Sequence, residues 1–90
     1  MNFYELVFIL KEDKEEILNK IKQTILDFKG EIVSQEKWGK KTFAYRIKKL
    51  SYGYYFLWKI KLMKNKVQEF KRKLDLDENI IRYLLLVTQE

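Results

Sequence analysis

Between residues 39 and 56 the chain reads Gly39-Lys40-Lys41-Thr42-Phe43-Ala44-Tyr45-Arg46-Ile47-Lys48-Lys49 and then Tyr52-Gly53-Tyr54-Tyr55-Phe56. Basic side chains at this density supply point charges for phosphate groups, and tyrosines supply flat faces for bases or riboses. Gly39 and Gly53 permit a bulge and a tight turn, which let backbone come close to a ligand. The chemistry on offer is recognition of a polyanion. Lys40, Lys41, Lys48 and Lys49 are the candidate phosphate contacts. The competing reading is a two-stranded ribbon whose lysines keep an exposed edge soluble. For Phe43, Tyr45, Phe56 and Trp58 the pattern favours inward packing over contact with a ligand.

The charge distribution around this segment is lopsided. From Lys37 to Lys73 there are thirteen basic residues and one acidic residue, Glu69, whereas the rest of the chain carries six basic and twelve acidic residues. The chain as a whole is at +6. A lysine-rich surface by itself indicates only solubility, but segregation of this kind gives one part of the molecule a positive field suited to phosphates.

Residue types that are absent narrow the function further. With no Cys there is no disulfide, thiolate nucleophile or cysteine metal site. With no His the commonest general base near neutral pH and the commonest metal ligand are both missing. The only serines are Ser34 and Ser51, and no base is at hand to activate either. The expectation is a protein that is not an enzyme, with no cofactor, no metal and no small-molecule substrate. No apolar run approaches the ~18 residues of a membrane span. Met1-Asn2-Phe3-Tyr4-Glu5 lacks the basic start of a secretory signal. No membrane association and a cytoplasmic location are therefore expected.

Ninety residues suffice for one domain, 1–90, and 47% hydrophobic with 16% aromatic residues gives it ample material for a core. Phe3–Leu10 reads as a strand, apolar on both faces and therefore inside a sheet. A helix follows, with Asp13 and Glu16 as a capping box and Gly30 to stop it. Ile17, Ile21, Ile25 and Phe28, with Leu18, form its apolar stripe. Glu31–Lys49 allows two readings. Trp38-Gly39-Lys40 is either a hairpin tip or a bulge in one long bent edge strand. The bent strand is preferred, with the turn at Lys48–Gly53 and Tyr54–Met63 as the returning strand. A second helix is expected from about Asn65 to Leu74, with Asn65 and Gln68 as another capping box, then a polar loop anchored by a buried Leu76. Ile80–Val87 is the last strand, nearly all apolar and so mostly covered.

Strand, helix, strand, strand, helix, strand is the order of the ferredoxin-like α+β fold, a four-stranded antiparallel sheet with both helices on one face. Strand alternation then assigns the faces. Tyr4, Leu6, Phe8, Leu10, Phe56, Trp58, Ile60, Leu62, Tyr83 and Leu85 turn toward the helices. The open face shows Glu5, Val7, Ile9, Leu57, Lys59, Lys61, Arg82, Leu84 and Leu86. A face with that much aliphatic surface calls for something to cover it.

Several of these motifs resemble the bacterial ribosomal small-subunit protein six family over the whole chain. Phe3-Tyr4-Glu5 resembles the start of its first strand. The Gly39–Lys49 segment is similar to its signature, a glycine and basic residues leading into Leu-Ala-Tyr-Pro-Ile and a lysine. Gly53-Tyr54-Tyr55 resembles its hairpin return, and Asn79-Ile80-Ile81-Arg82-Tyr83 the entry to its last strand. Arg46 stands where the family usually has proline, and Phe43 replaces its usual leucine. The resemblance implies a non-catalytic constituent of the small ribosomal subunit, at work on the cytoplasmic ribosome. It further implies binding to central-domain small-subunit ribosomal RNA beside ribosomal small-subunit protein eighteen, with the isolated chain a monomer. It makes Lys40, Lys41, Arg46, Lys48, Lys49 and Arg82 the expected RNA contacts. Val7, Leu57, Leu84 and Leu86 become the expected protein interface.

The alternative is a module like the RNA-recognition motif, which has the same element order and which Tyr52–Trp58 echoes. That module needs its aromatics on the open face to stack bases. The register above turns Phe56 and Trp58 the other way. An acylphosphatase-like enzyme on the same fold would want a phosphate-cradling loop after the first strand, where Lys11-Glu12-Asp13-Lys14 has acids and no glycine.

Overall fold

The computed structural model describes residues 2–47 and 49–88. Its elements are β1 (Asn2–Leu10), α1 (Glu15–Asp27), β2 (Glu31–Ile47), β3 (Leu50–Leu62), a 3-10 turn at Lys64–Lys66, α2 (Val67–Asp75) and β4 (Ile80–Thr88). The four strands form one antiparallel sheet in the order β2-β3-β1-β4. This is the ferredoxin-like arrangement expected from the pattern.

Period-2 alternation decides which face is buried. Tyr4, Leu6, Phe8 and Leu10 of β1 and Phe56, Trp58, Ile60 and Leu62 of β3 all lie in the core with Ile17, Ile21, Ile25, Phe70 and Leu74 of the helices. Each such side chain, fully withdrawn from water, contributes roughly 1.5–3 kcal/mol. Phe8 stacks on Phe56 at 5.1 Å and meets Trp58 edge-on at 5.0 Å. Phe28 of the first helix end meets Phe70 of α2 edge-on at 6.2 Å, which fixes the two helices side by side.

Long-range partners displaced several local signals. Asp13 does not cap α1, whose N-cap is Lys14 with no side-chain bond. Its carboxylate pairs instead with Lys37 of β2. The helix is ended by Lys29, which takes the left-handed conformation at φ 60, and not by the conformational freedom of Gly30. Gly30 is needed for a different reason, since a β-carbon there would lie 2.7 Å from the Lys61 carbonyl oxygen. The Asn65–Gln68 box is likewise absent; the 3-10 turn precedes α2, and neither has a side-chain cap. Leu76, expected as a buried anchor, is 74% exposed at the C-cap of α2. The turn between β2 and β3 is also tighter than Lys48–Gly53. Ile47 already pairs with Leu50, Lys49 supplies a positive φ of 66, and Ser51–Gly53 belong to β3. Finally, β4 is an edge strand and is less covered than its composition suggested, with Leu84, Leu86 and Val87 exposed.

One hydrogen bond ties that edge strand to α2. The Tyr83 hydroxyl donates to Asp75 Oδ1 at 2.8 Å, with the Lys71 carbonyl 3.3 Å away. Burial, then the bond to Asp75, pushes the phenol up to about 12 from its ordinary 10.0. A folded-state value above the unfolded one means that the stabilisation is complete below about pH 10. It is lost as pH rises through about 12. Tyr83→Phe should therefore lower stability by about 1 kcal/mol at neutral pH. Urea titrations across pH should show the gap between parent and variant closing above pH 10.

Candidate functional site

The β2–β3 hairpin extends past the end of β1 as a two-stranded ribbon, and its geometry comes from three irregularities. Register shifts fall between Ile32 and Ser34, between Lys37 and Gly39, and between Thr42 and Ile47. At the second, Lys37 faces Phe56 and Gly39 faces Tyr55, leaving Trp38 as the extra residue of a bulge. Gly39 closes that bulge at φ 88, a left-handed conformation that a side chain would strain. The bulge reading of the bent strand therefore holds over the hairpin tip.

Past the bulge, successive lysines fall on opposite faces of the ribbon. Lys40 pairs with Tyr54 and its Nζ lies 4.3 Å from the centre of the Tyr52 ring. Lys41 pairs with Gly53 on the helix-free side, its Nζ 5.4 Å from Trp38 and 5.6 Å from Tyr55. Cations over aromatic faces at these distances attract by ~0.5–1 kcal/mol at exposed sites. The rings thus hold the ammonium groups in place without neutralising them. Arg46 and Lys49 are exposed at the far end of the ribbon. Lys48 and the side chain of Tyr45 lie outside the described residues.

Among the described residues, Lys40, Lys41, Arg46, Lys49 and Arg82 have no carboxylate within ion-pair distance, whereas Lys37 pairs with Asp13 and Lys61 with Glu31 at 3.8 Å. The field of the ribbon is therefore uncompensated, and that is the electrostatic condition for holding phosphates.

Phe43 is half-buried, though not under the helices. It lies over Gly53 on the helix-free side, where a methyl group on Gly53 would stand 2.8 Å from Phe43 Cζ and 3.3 Å from Ile81 Cδ1. It also meets Tyr55 edge-on at 6.1 Å. Two register shifts precede it and cancel, so Phe43 falls on the same face as Glu31 and Lys41. The same small cluster covers Ile9, which is only 9% exposed although it faces away from the helices. Phe56 and Trp58 do pack under the helices, at 1% and 2% exposure, so they cannot serve as stacking residues on the open face.

The open face is ordered in rows running across the strands. Tyr55, Ile9 and Arg82 are direct neighbours, then Leu57, Val7 and Leu84, then Lys59, Glu5 and Leu86. The middle row is wholly aliphatic, with Val7 and Leu57 half-buried and Leu84 at 54% exposure. Together with Leu86 it forms one contiguous apolar strip with cations at both ends. Val7, Leu57, Leu84 and Leu86 are thus brought together. Arg82 shares a row with Tyr55 but stands two strands from it, across roughly 10 Å of sheet, and so lies apart from the ribbon cations. Trp38 was absent from the residues singled out by charge; the signal that points to it is Gly39, whose bulge redirects its neighbour. Among the described residues no acidic cluster is close enough to hold a metal ion, and no helix is long and apolar enough to cross a membrane.

Comparison with known proteins supplies context for this geometry. The profile of the Ribosomal protein S6 family matches residues 3–86. The chain is 39% identical over 92 residues to the small ribosomal subunit protein bS6 of Clostridioides difficile, covering 97% of this chain and 99% of that one. It is 37% identical over 91 residues to the bS6 protein of Rickettsia prowazekii, covering 96% of this chain and 75% of the relative. Among solved structures, the crystal structure of 30S ribosomal protein S6 from Thermotoga maritima superposes with a TM-score of 0.87 at 27% identity, over 97% of this chain and 87% of the other.

Proposed function

The chain belongs to the ribosomal protein S6 family, and from that premise we propose that it is a non-catalytic, structural constituent of the small ribosomal subunit, where its partner is small-subunit ribosomal RNA. In finer terms, it binds the central domain of that RNA together with ribosomal small-subunit protein eighteen. The observation that carries this reading is the helix-free sheet face. An aliphatic row of Leu57, Val7 and Leu84 lies open to water beside a ribbon whose cations lack carboxylate partners among the described residues. Neither surface is satisfied within the monomer, and each suits a different macromolecule.

The roles divide accordingly. Lys40, Lys41, Arg46, Lys48 and Lys49 hold phosphates, and Arg82 adds a contact from the far edge. Val7, Leu57, Leu84 and Leu86 meet the protein partner, since an apolar strip gains more from a protein surface than from a phosphate backbone. The isolated chain is a monomer that binds RNA weakly, because a small set of lysines alone gives mostly non-specific affinity.

The test is co-sedimentation. The tagged chain expressed in bacteria should run with the small subunit on a gradient and, after mild dissociation of the subunit, should retain a small basic protein. Recovery only in the unbound fraction, with no associated RNA, would sink the reading.

A further inference from the structure

We propose that Trp38 is a stacking platform for a single unpaired nucleobase of the bound RNA, a deepening that rests on the RNA-binding role given to the ribbon. The two tryptophans of this chain occupy opposite environments. Trp58 is 2% exposed in the core, whereas Trp38 is 48% exposed on the ribbon. An indole left in water at the bulge that Gly39 closes is placed there by the backbone, not by packing.

Three features fit a base. Lys41 Nζ stands over one face of the Trp38 ring at 5.4 Å and over Tyr55 at 5.6 Å, so a positive charge is fixed close to the phosphate of a nucleotide that stacks on the other face of the indole. Apart from its chain neighbours Trp38 and Lys40, nothing lies within 4 Å of the position a Gly39 β-carbon would take, so no other part of the chain crowds the bulge. The surrounding charge is uniformly positive toward the ribbon end, through Lys40, Lys41, Arg46 and Lys49. A basic protein side chain would be repelled from that site, while an anionic nucleotide is drawn to it. Glu36, exposed on β2 beside Leu57, lies on the other side of the bulge. The RNA backbone therefore leaves the platform toward Arg46 and Lys49, away from Glu36.

The experiment uses the full chain with two probes, single-stranded oligoadenylate and a mixed-sequence RNA duplex. Oligoadenylate should quench the exposed indole and shield it from acrylamide, and the duplex should not, because its bases are already stacked. Trp38→Leu should weaken oligoadenylate binding by about five- to a hundredfold while leaving the slope against log salt unchanged, since no charge is removed. Trp38→Phe should recover most of the loss. Retention of the blue-shifted Trp58 emission shows that each variant is folded. Oligoadenylate binding that depends on Lys40 and Lys41 but not on Trp38 would overturn the platform and leave the RNA role standing. Absence of binding to either RNA by the parent chain would overturn both.

Discussion

Replacing Lys40, Lys41 and Lys49 together with glutamate is expected to lower affinity for small-subunit ribosomal RNA by about a hundredfold near 0.1 M salt, taking ~1 kcal/mol for each lost contact at a screened surface. The more diagnostic change is in salt dependence. Each phosphate neutralised by a side chain adds roughly 0.7–0.9 to the slope of log affinity against log salt. Losing three such contacts should flatten the slope by about 2–3. The cations concerned have no carboxylate partners among the described residues, so their replacement breaks no ion pair and leaves the fold intact. Lys20→Glu on the exposed side of α1 serves as control, because it changes the net charge by the same amount per site without touching the ribbon. Filter-binding titrations at several salt concentrations would decide. An unchanged slope in the triple variant would remove the ribbon from the RNA contact.

The second large effect is expected on the opposite edge of the sheet. Leu84→Asp combined with Leu86→Asp places two charges in the apolar strip, where a docked protein would have to desolvate them. Residues near the centre of an interface typically cost ~2 kcal/mol or more when lost. The double variant should therefore weaken association with the protein partner proposed above, ribosomal small-subunit protein eighteen, by more than about a hundredfold. Stability should change far less. Both side chains are already about half exposed, and the expected cost is on the order of 1 kcal/mol from strand preference. Val87→Asp provides a control with built-in contrast. Val87 is 70% exposed and pairs with Tyr4, so it lies on the helix side of the sheet and should leave association untouched. Isothermal titration with thermal melts separates the two effects. Outright unfolding of the double variant would assign these leucines to the core instead.

Much of this architecture is legible in the sequence because alternation in β1 and β3 is nearly uninterrupted. Tyr4, Leu6, Phe8 and Leu10 point one way, Phe56, Trp58, Ile60 and Leu62 follow them, and the helices answer with Ile17, Ile21 and Ile25. What resists reading is whatever depends on a partner distant in sequence. Asp13 has the spacing of a helix cap, yet Lys37 across the fold takes its carboxylate. Gly30 has the identity of a helix stop, yet Lys29 takes the left-handed turn and Gly30 is held by close approach of another strand.

The candidate site divides in the same way. Which lysines are available is plain from composition, and the aliphatic open-face strip follows from strand parity. The direction of Trp38 does not, because one register shift falls before it and another at its own position. Gly39 marks one of those shifts. The shift between Ile32 and Ser34 has no comparable marker, and it turns Trp38 to the helix-free side, where it shares Lys41 with Tyr55.

The middle row of the open face is stitched together from distant parts of the chain. Val7 comes from β1, Leu57 from β3 and Leu84 from β4, so the row exists only once segments translated early and late have met. Until β4 is in place, one whole side of β1 offers bare amides and carbonyls, the condition under which nascent chains mispair. A partner that docks on this row consequently samples whether folding has run to completion. Half-folded molecules present only part of it, and assembly itself becomes a filter against them.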